Sequence, residues 1–208
     1  MKYRLVIFDF DGTLADSFPW FVRVVNSVAD RYRFRRIEEG EIEVLRGYGA
    51  RRLMRHLAVP AWKLPLIVRH MRILKSRDVR EIPLFPGVNG LLRELAERGV
   101  ELALVTSNSY ENAVRILGPE NAARFRYWEC GASVFGKRAR FRRVLRRSGV
   151  PRGEALCIGD EIRDLEAARA EGIPFGAVAW GYTRADALRA HAPAESFETV
   201  GDIVATVG

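Results

Sequence analysis

The chain contains little cysteine and no long uncharged run of apolar residues. Its two cysteines, Cys130 and Cys157, are too few for a disulfide framework and fit no common zinc spacing, so we expect two buried thiols. No segment has the length of apolar sequence that a membrane-spanning helix needs. The short apolar stretch at residues 5–8 ends in acids, unlike a signal peptide. These absences exclude disulfide-rich and membrane-spanning classes, and we expect a cytoplasmic protein.

Lysine is also scarce, although the chain is basic. Of its 208 residues, 34 are Lys or Arg and 26 are Asp or Glu, which gives a formal charge of +8. Only four of these cations are lysines, namely Lys2, Lys63, Lys75 and Lys137. Residues 15–83 hold 15 cations and 8 anions, so nearly all the excess lies there. This surplus is either ordinary surface composition or a means of attracting an anionic ligand.

Apolar spacing divides the chain into two kinds of segment. Residues 4–8 predict a buried strand, and residues 15–83 contain apolar repeats of helical spacing only. Beyond residue 84, helix and strand patterns alternate, with strands predicted at 102–105, 127–130, 155–158 and 175–180 and helices at 88–95, 109–117, 140–147 and 165–171. We therefore predict an α/β fold, a Rossmann-like parallel sheet core (1–14 and 84–208) with an inserted all-helical segment (15–83).

Two carboxylates follow the first predicted strand, in the segment DFDGTL (residues 9–14). Ligands bind at this end of the strands in open parallel sheets, and Gly12 allows a sharp turn there. Asp9 could attack a phosphorus atom as a nucleophile, and Asp11 could protonate the leaving group and then activate water. The alternative is a plain turn stabilised by local hydrogen bonds.

Further polar groups follow three later strands. Thr106 and Ser107 could bind a phosphoryl oxygen or could only cap the next helix. Lys137 could neutralise a nucleophile and a phosphoryl group together, or be a solvated loop lysine. Asp160 and Asp164 could hold Mg²⁺, or be a helix cap and a surface charge. Because all follow predicted strands, we expect one metal-assisted phosphoryl-transfer site at one edge of the sheet.

In order and spacing these motifs resemble those of the haloacid dehalogenase-like phosphatase superfamily. DFDGTL matches its first motif, Thr106 the second, Lys137 the third, and Asp160 with Asp164 the fourth. Residues 85–88 and 176–182 resemble the phosphoglycolate phosphatase-like branch, whose helical insertion is a cap. One departure is Arg138, at a position where this branch commonly has proline.

The resemblance implies roles for the motif residues. Asp9 would be the nucleophile and Asp11 the general acid and base. Mg²⁺ would be held by Asp9, the backbone carbonyl of Asp11 and Asp160, with Asp164 at the metal or just behind it. The phosphoryl group would be bound at positions shared by the first three motifs, namely Asp11, Gly12, Thr106, Ser107 and Lys137.

The implied function is that of a Mg²⁺-dependent phosphoric monoester hydrolase acting on a small, phosphoglycolate-like metabolite through an aspartyl phosphate. Asp11 argues against dehalogenase activity, since dehalogenases of the superfamily lack this second acid. Phosphonate hydrolysis would need a lysine from the cap, and both candidates, Lys63 and Lys75, are expected at the surface. In the glycine-containing loop at 46–52, Tyr48 and Arg51 are candidate substrate contacts; alternatively Arg51 only solvates a helix.

Three other functions stay open. A sugar-phosphate mutase of the same superfamily would need a base in the cap, and the sequence does not indicate which residue that would be. The basic run at 137–147 could bind nucleic acid, but it overlaps a helix with an apolar face, so no nucleic-acid partner is expected. The chain could also be an inactive interaction protein, although such a protein has no need for crowded acids. We expect no membrane partner and either a monomer or a homodimer.

Overall fold

A six-stranded parallel sheet forms the centre of the protein. The computed structural model describes residues 2–132 and 136–207. The strands are β1 (Leu5–Phe8), β2 (Glu101–Val105), β3 (Phe125–Glu129), β4 (Ala155–Gly159), β5 (Phe175–Val178) and β6 (Glu195–Phe197). They lie in the order β3-β2-β1-β4-β5-β6 and all neighbours are parallel. The predicted Rossmann-like parallel sheet is confirmed.

The central strand β1 is buried on both faces. Val6 and Phe8 belong to one hydrophobic cluster, and Leu5 and Ile7 belong to a second. Because successive side chains of a strand point to opposite faces, the two clusters lie on opposite sides of the sheet. Four consecutive apolar residues are what such a doubly covered strand requires.

The strand register brings three strand ends to one place. Phe8 pairs with Leu104 of β2 on one side and with Ile158 of β4 on the other. The strand order also reverses at β1, since β2 and β3 extend one way and β4 to β6 the other. Such a reversal opens a crevice at the carboxyl ends of the strands, where ligands of open α/β sheets bind.

Eleven helices surround the sheet within the described residues. They are α1 (Phe18–Tyr32), α2 (Ile42–Leu45), α3 (Ala50–His56), α4 (Leu64–Arg77), α5 (Val88–Glu97), α6 (Tyr110–Leu117), α7 (Pro119–Arg124), α8 (Lys137–Ser148), α9 (Ile162–Ala170), α10 (Ala185–Arg189) and α11 (Val200–Val207). Short 3₁₀ turns lie at Glu39–Glu41, Ala61–Lys63, Val79–Glu81 and Arg152–Glu154. None of the helices described is both long and apolar enough to cross a bilayer.

The sequence pattern places the starts of two helices about one turn too late. Helices α8 and α9 start at Lys137 and Ile162, whereas the apolar pattern predicts starts at Arg140 and Leu165. Their first turns are mostly polar, so these turns add nothing to an apolar repeat. The expectation of two buried thiols is confirmed for Cys157 and wrong for Cys130, which is half-buried just beyond the end of β3.

The chain leaves the sheet after β1, forms only helical elements up to Glu81, and returns beside its point of departure. The N–H of Asp16 donates to the carbonyl of Pro83 at 2.9 Å, and the N–H of Phe85 donates to that of Leu14 at 2.9 Å. We refer to residues 15–83 as the helical segment. That this segment is a separate cap domain stays a prediction.

The arginines of α8 have counter-charges in the core. Buried Glu129 accepts hydrogen bonds from Arg140 and Arg143 at 2.9 Å each. Buried Glu171 accepts from two further arginines, Arg138 at 2.6 Å and Arg142 at 2.7 Å. These ion pairs give the basic run a structural role within the fold.

We expect the ionisation of Glu171 to make a pH-dependent contribution to the free energy of unfolding. Hydrogen bonds from Arg142 and Arg138 lower the pKa of Glu171 from its ordinary 4.5 to about 2. A carboxyl group whose pKa is lowered by folding stabilises the fold at pH values above its unfolded-state pKa. This contribution disappears as the pH falls through the folded-state pKa. Glu171→Gln should cost about 1–2 kcal/mol at pH 7, a figure reduced because the arginines are half-exposed to water.

Urea unfolding of wild type and Glu171→Gln at pH 7 and pH 3 measures this effect. The difference should fall by more than half at pH 3. Glu97→Gln, an exposed glutamate at the end of α5, is the matched control and should change stability by less than about 0.5 kcal/mol. A difference that stays constant with pH would assign the loss to packing instead.

Candidate active site

Three carboxylates meet at the crevice beside β1. Asp9 follows β1 directly, Asp160 follows β4, and Asp164 lies in the first turn of α9. They are 7%, 0% and 1% exposed, and one carboxylate oxygen of each lies within 4.8 Å of those of the others. The alternative in which Asp164 is a surface charge is therefore wrong.

Lys137 lies between two of these carboxylates. It is the first residue of α8 and 3% exposed, so the interpretation as a solvated loop lysine is wrong. Its Nζ is 2.8 Å from Oδ1 of Asp9 and donates to Oδ2 of Asp164 at 2.7 Å. Burial alone would lower the pKa of Lys137, but Asp164 and Asp9 raise it to about 12. The ammonium is therefore charged at neutral pH.

The cluster has a surplus of negative charge. Burial raises the pKa of Asp160 well above its usual range, and the neighbouring Glu161, Asp9 and Asp164 raise it further. Burial also raises the pKa of Asp164, against the opposing effect of Lys137. For Asp9 the effect of burial is outweighed by Lys137, and its pKa is lowered.

The excess negative charge of these carboxylates indicates whether a divalent cation fits the site. Buried carboxylates are stable as anions only when positive charge offsets the loss of hydration. Hard oxygen donors of this kind suit Mg²⁺, which is usually bound through one or two carboxylates and a substrate phosphate. The residues present therefore fit the ion, and the buried Asp160 is the carboxylate that most needs it.

Asp160 is fixed by its neighbours. Its Oδ1 accepts a hydrogen bond from the Thr13 hydroxyl at 2.9 Å, and its Oδ2 accepts from the N–H of Tyr182 at 2.8 Å. Glycine is required on both sides, because a Cβ at Gly12 would lie 2.3 Å from Oδ2 and one at Gly181 would lie 2.1 Å from the Cβ of Asp160. Gly12 also has φ +80°, a conformation that favours glycine. The sequence pattern does not indicate this role for Thr13 or Gly181.

The residues after β2 lie at the same edge of the sheet. Thr106 is buried, and its hydroxyl oxygen accepts a hydrogen bond from the N–H of Asn108 at 3.0 Å. The carbonyl of Ser107 accepts from the guanidinium of Arg72 at 2.7 Å. The structure thus brings Thr106 and Ser107 to the crevice together with Gly12. Their contacts with a phosphoryl group stay predictions.

Lys75 is a site residue that we expected at the surface, and this expectation is wrong. Its side chain is buried in α4, and its Nζ lies 2.5 Å from Oδ1 of Asp11. Lys63, the other lysine of the helical segment, is half-buried and donates to the carbonyl of Tyr32 at 2.7 Å. A signal for Lys75 does exist in the sequence, since it continues the apolar stripe of Leu64, Val68 and Met71 at helical spacing.

A cavity of about 590 Å³ separates the helical segment from the crevice. Asp11, Lys75 and Asn108 are among the residues that line it near the sheet, and the lining from the helical segment is mostly apolar. Tyr48 lines this cavity as well, with the guanidinium carbon of Arg52 3.8 Å from its ring centroid.

Arg51, the second candidate substrate contact, is exposed and lies at a smaller cavity of about 170 Å³ shared with Lys137 and Arg163. The predicted loop at 46–52 is wrong for Arg51, which lies in the first turn of α3, and the two candidates border different cavities. Their contacts with substrate stay predictions.

Most of the basic surplus faces solvent. Of the 15 cations in residues 15–83, eleven are exposed. Arg46, Arg72 and Lys75 reach the sheet side, where Arg46 donates to the carbonyls of Gly181 at 2.9 Å and Tyr182 at 3.1 Å. The hypothesis that the surplus as a whole draws anions into the cleft is therefore wrong. Most of the surplus is surface composition, although the exposed Arg51 borders the cavity that it shares with Lys137.

Comparisons with known proteins agree with this architecture. The family model of haloacid dehalogenase-like hydrolases matches residues 6–178. A phosphoglycolate phosphatase from Synechococcus elongatus is 31% identical, over 98% of this chain and 97% of its own length. A phosphoglycolate phosphatase from Rhodobacter capsulatus is 32% identical, over 96% and 95%. The solved structure of a haloacid dehalogenase-like hydrolase from Streptococcus pneumoniae superimposes with a TM-score of 0.78 at 20% identity, over 100% of this chain and 99% of that one.

The chain belongs to the haloacid dehalogenase-like hydrolase family. The predicted family and its phosphoglycolate phosphatase-like branch are confirmed, as is the prediction of a hydrolase.

Proposed function

We propose that the protein is a Mg²⁺-dependent phosphatase that hydrolyses a small phosphorylated metabolite through an aspartyl phosphate. The observation that carries the proposal is the position of Asp9, which ends the central strand 2.8 Å from Lys137, with Asp11 two residues further on. The names of the two relatives support 2-phosphoglycolate as the first substrate to test.

The proposed chemistry has two halves. Asp9 attacks the phosphorus atom, and the bond from phosphorus to the ester oxygen breaks while Asp11 gives that oxygen a proton. Asp11 then takes a proton from water, whose oxygen attacks the phosphorus atom and releases Asp9 and inorganic phosphate. Lys137 offsets negative charge on Asp9 and the phosphoryl group throughout.

Asp9, Asp160 and the backbone carbonyl of Asp11 would hold Mg²⁺, with Asp164 beside them. The ion would supply positive charge that offsets the repulsion of the attacking carboxylate and the phosphoryl oxygens. Thr13 and Tyr182 keep Asp160 oriented for this purpose.

Release of inorganic phosphate from 2-phosphoglycolate tests the proposal. Turnover should require Mg²⁺, stop with a chelator and return when Mg²⁺ is restored. Asp160→Asn should raise the Mg²⁺ concentration for half-maximal activity by at least about tenfold, because it removes a buried anionic ligand. Asp186→Asn, an exposed acid paired with Arg184, is the matched control. Full turnover in chelator would contradict the metal requirement, and transfer of phosphate to a second position without its release would indicate a mutase.

A further inference from the structure

We propose that Lys75 is a specificity-determining residue that binds a second negative charge, a carboxylate, on the leaving group of the substrate. This inference rests on the proposed function. It assigns to one residue the preference for an ester whose leaving group carries a carboxylate, as that of 2-phosphoglycolate does.

The position of Lys75 beside Asp11 is the first argument. A general acid must come within about 2.6–3.2 Å of the oxygen that it protonates. The Nζ of Lys75 is 2.5 Å from Oδ1 of Asp11, on the carboxyl group that would protonate the ester oxygen. Whatever group the ester oxygen carries must therefore pass close to this ammonium, and a carboxylate one carbon away lies within its reach.

The chemistry of Lys75 is the second argument. An ammonium has three donors, and Asp11 accepts from one of them. Lys75 is 7% exposed, and its Nζ lies 4.9 Å from the centroid of the Trp20 ring. A cation held against an aromatic face and away from water attracts an anion more strongly than an exposed one does.

The anchoring of α4 is the third argument. Arg72, one turn before Lys75, donates to the carbonyl of Ser107 at 2.7 Å, and its own carbonyl accepts from Asn112 at 3.0 Å. On the other side of Lys75, the carbonyl of Ser76 accepts from Arg115 at 2.8 Å. These contacts hold the stem of Lys75 over the crevice, so the ammonium is positioned before substrate binds.

Two substrates of similar size distinguish binding of a carboxylate by Lys75 from a role that affects every substrate, such as orienting Asp11. 2-Phosphoglycolate carries the carboxylate, and 2-hydroxyethyl phosphate carries a neutral hydroxymethyl group in its place. We expect Lys75→Met to lower the ratio of kcat/KM for 2-phosphoglycolate to that for 2-hydroxyethyl phosphate by at least about tenfold, because a charged hydrogen bond is lost with only one of them. Lys75→Arg should retain part of the preference. Lys63→Met removes the other lysine of the helical segment and should leave the ratio unchanged.

An equal loss with both substrates in Lys75→Met would mean that Lys75 only orients Asp11, and would overturn the proposal. Wild-type protein provides a second test that requires no variant to fold. If its kcat/KM is no higher for 2-phosphoglycolate than for 2-hydroxyethyl phosphate, the proposal is also overturned. A wild type that hydrolyses neither ester but releases phosphate from a generic phosphate ester also refutes the inference alone. A wild type that hydrolyses none of the three contradicts the proposed function as well. An active wild type without the preference refutes the inference alone.

Discussion

Asp9→Asn is expected to reduce phosphate release by at least about a thousandfold, the largest effect of any substitution in the site. An amide is too weak a nucleophile to attack phosphorus, and it carries no charge to pair with Lys137, 2.8 Å away. The remaining residues would still bind the ester and position water, so a small residual rate is expected.

The measurement is release of inorganic phosphate under single-turnover and steady-state conditions with Mg²⁺ present. Asp30→Asn, an exposed acid of the helical segment paired with Arg36, is the control and should keep wild-type turnover. Asp9→Asn should still fold, since Lys137 keeps its contact with Asp164 and the lost attraction to Lys137 is partly offset by less repulsion between Asp9 and the buried Asp160. A folded variant that kept more than a tenth of wild-type turnover would exclude Asp9 as the nucleophile.

Lys137→Met is expected to have the largest effect on stability. It removes the buried cation that contacts both Asp9 and Asp164 at 2.8 and 2.7 Å and leaves buried negative charge without its partner. Loss of one partner of a buried ion pair typically costs about 3–5 kcal/mol. Mg²⁺ should recover part of this loss, because an ion that binds the folded state stabilises it and the variant has more charge to offset.

Urea unfolding with and without Mg²⁺ measures both effects. Lys2→Met is the matched control, since Lys2 is an exposed lysine whose partner, Glu195, lies near the surface. The control should lose little stability, because exposed ion pairs contribute little to it. A Lys137→Met protein as stable as wild type, or a loss that Mg²⁺ does not change, would show that the site does not depend on this charge balance.

The motif residues could be placed from the sequence because each follows a strand. Once β1, β2 and β4 are neighbours in a parallel sheet, Asp9, Thr106 and Asp160 must meet at one edge. No detail of side-chain packing is needed for that conclusion, so strand patterns alone predicted the site.

Lys75 could not be placed in this way. It lies on a helix in another part of the chain, and helical spacing shows which face it shares but not what that face meets. The same limit applies to the charge of the helical segment, since counting cations does not show which of them point inward. Strand β6 and helix α10 were missed because they have only three and five residues. Helix α11 has eight residues, and the helical spacing of its buried Ile203 and Val207 is a signal that could have found it.

The scarcity of lysine gives the protein two internal chemical probes. Of its four side-chain amines, Lys2 is exposed and Lys63 is half-buried, whereas Lys75 and Lys137 are enclosed in the site. An acylating reagent therefore reaches Lys2 and Lys63 directly. We expect it to react more slowly with Lys75, whose amine is buried and paired with Asp11. The rates of acylation at Lys75 and Lys2 can thus be compared within one molecule to measure how well the site is enclosed, without any label having to be introduced.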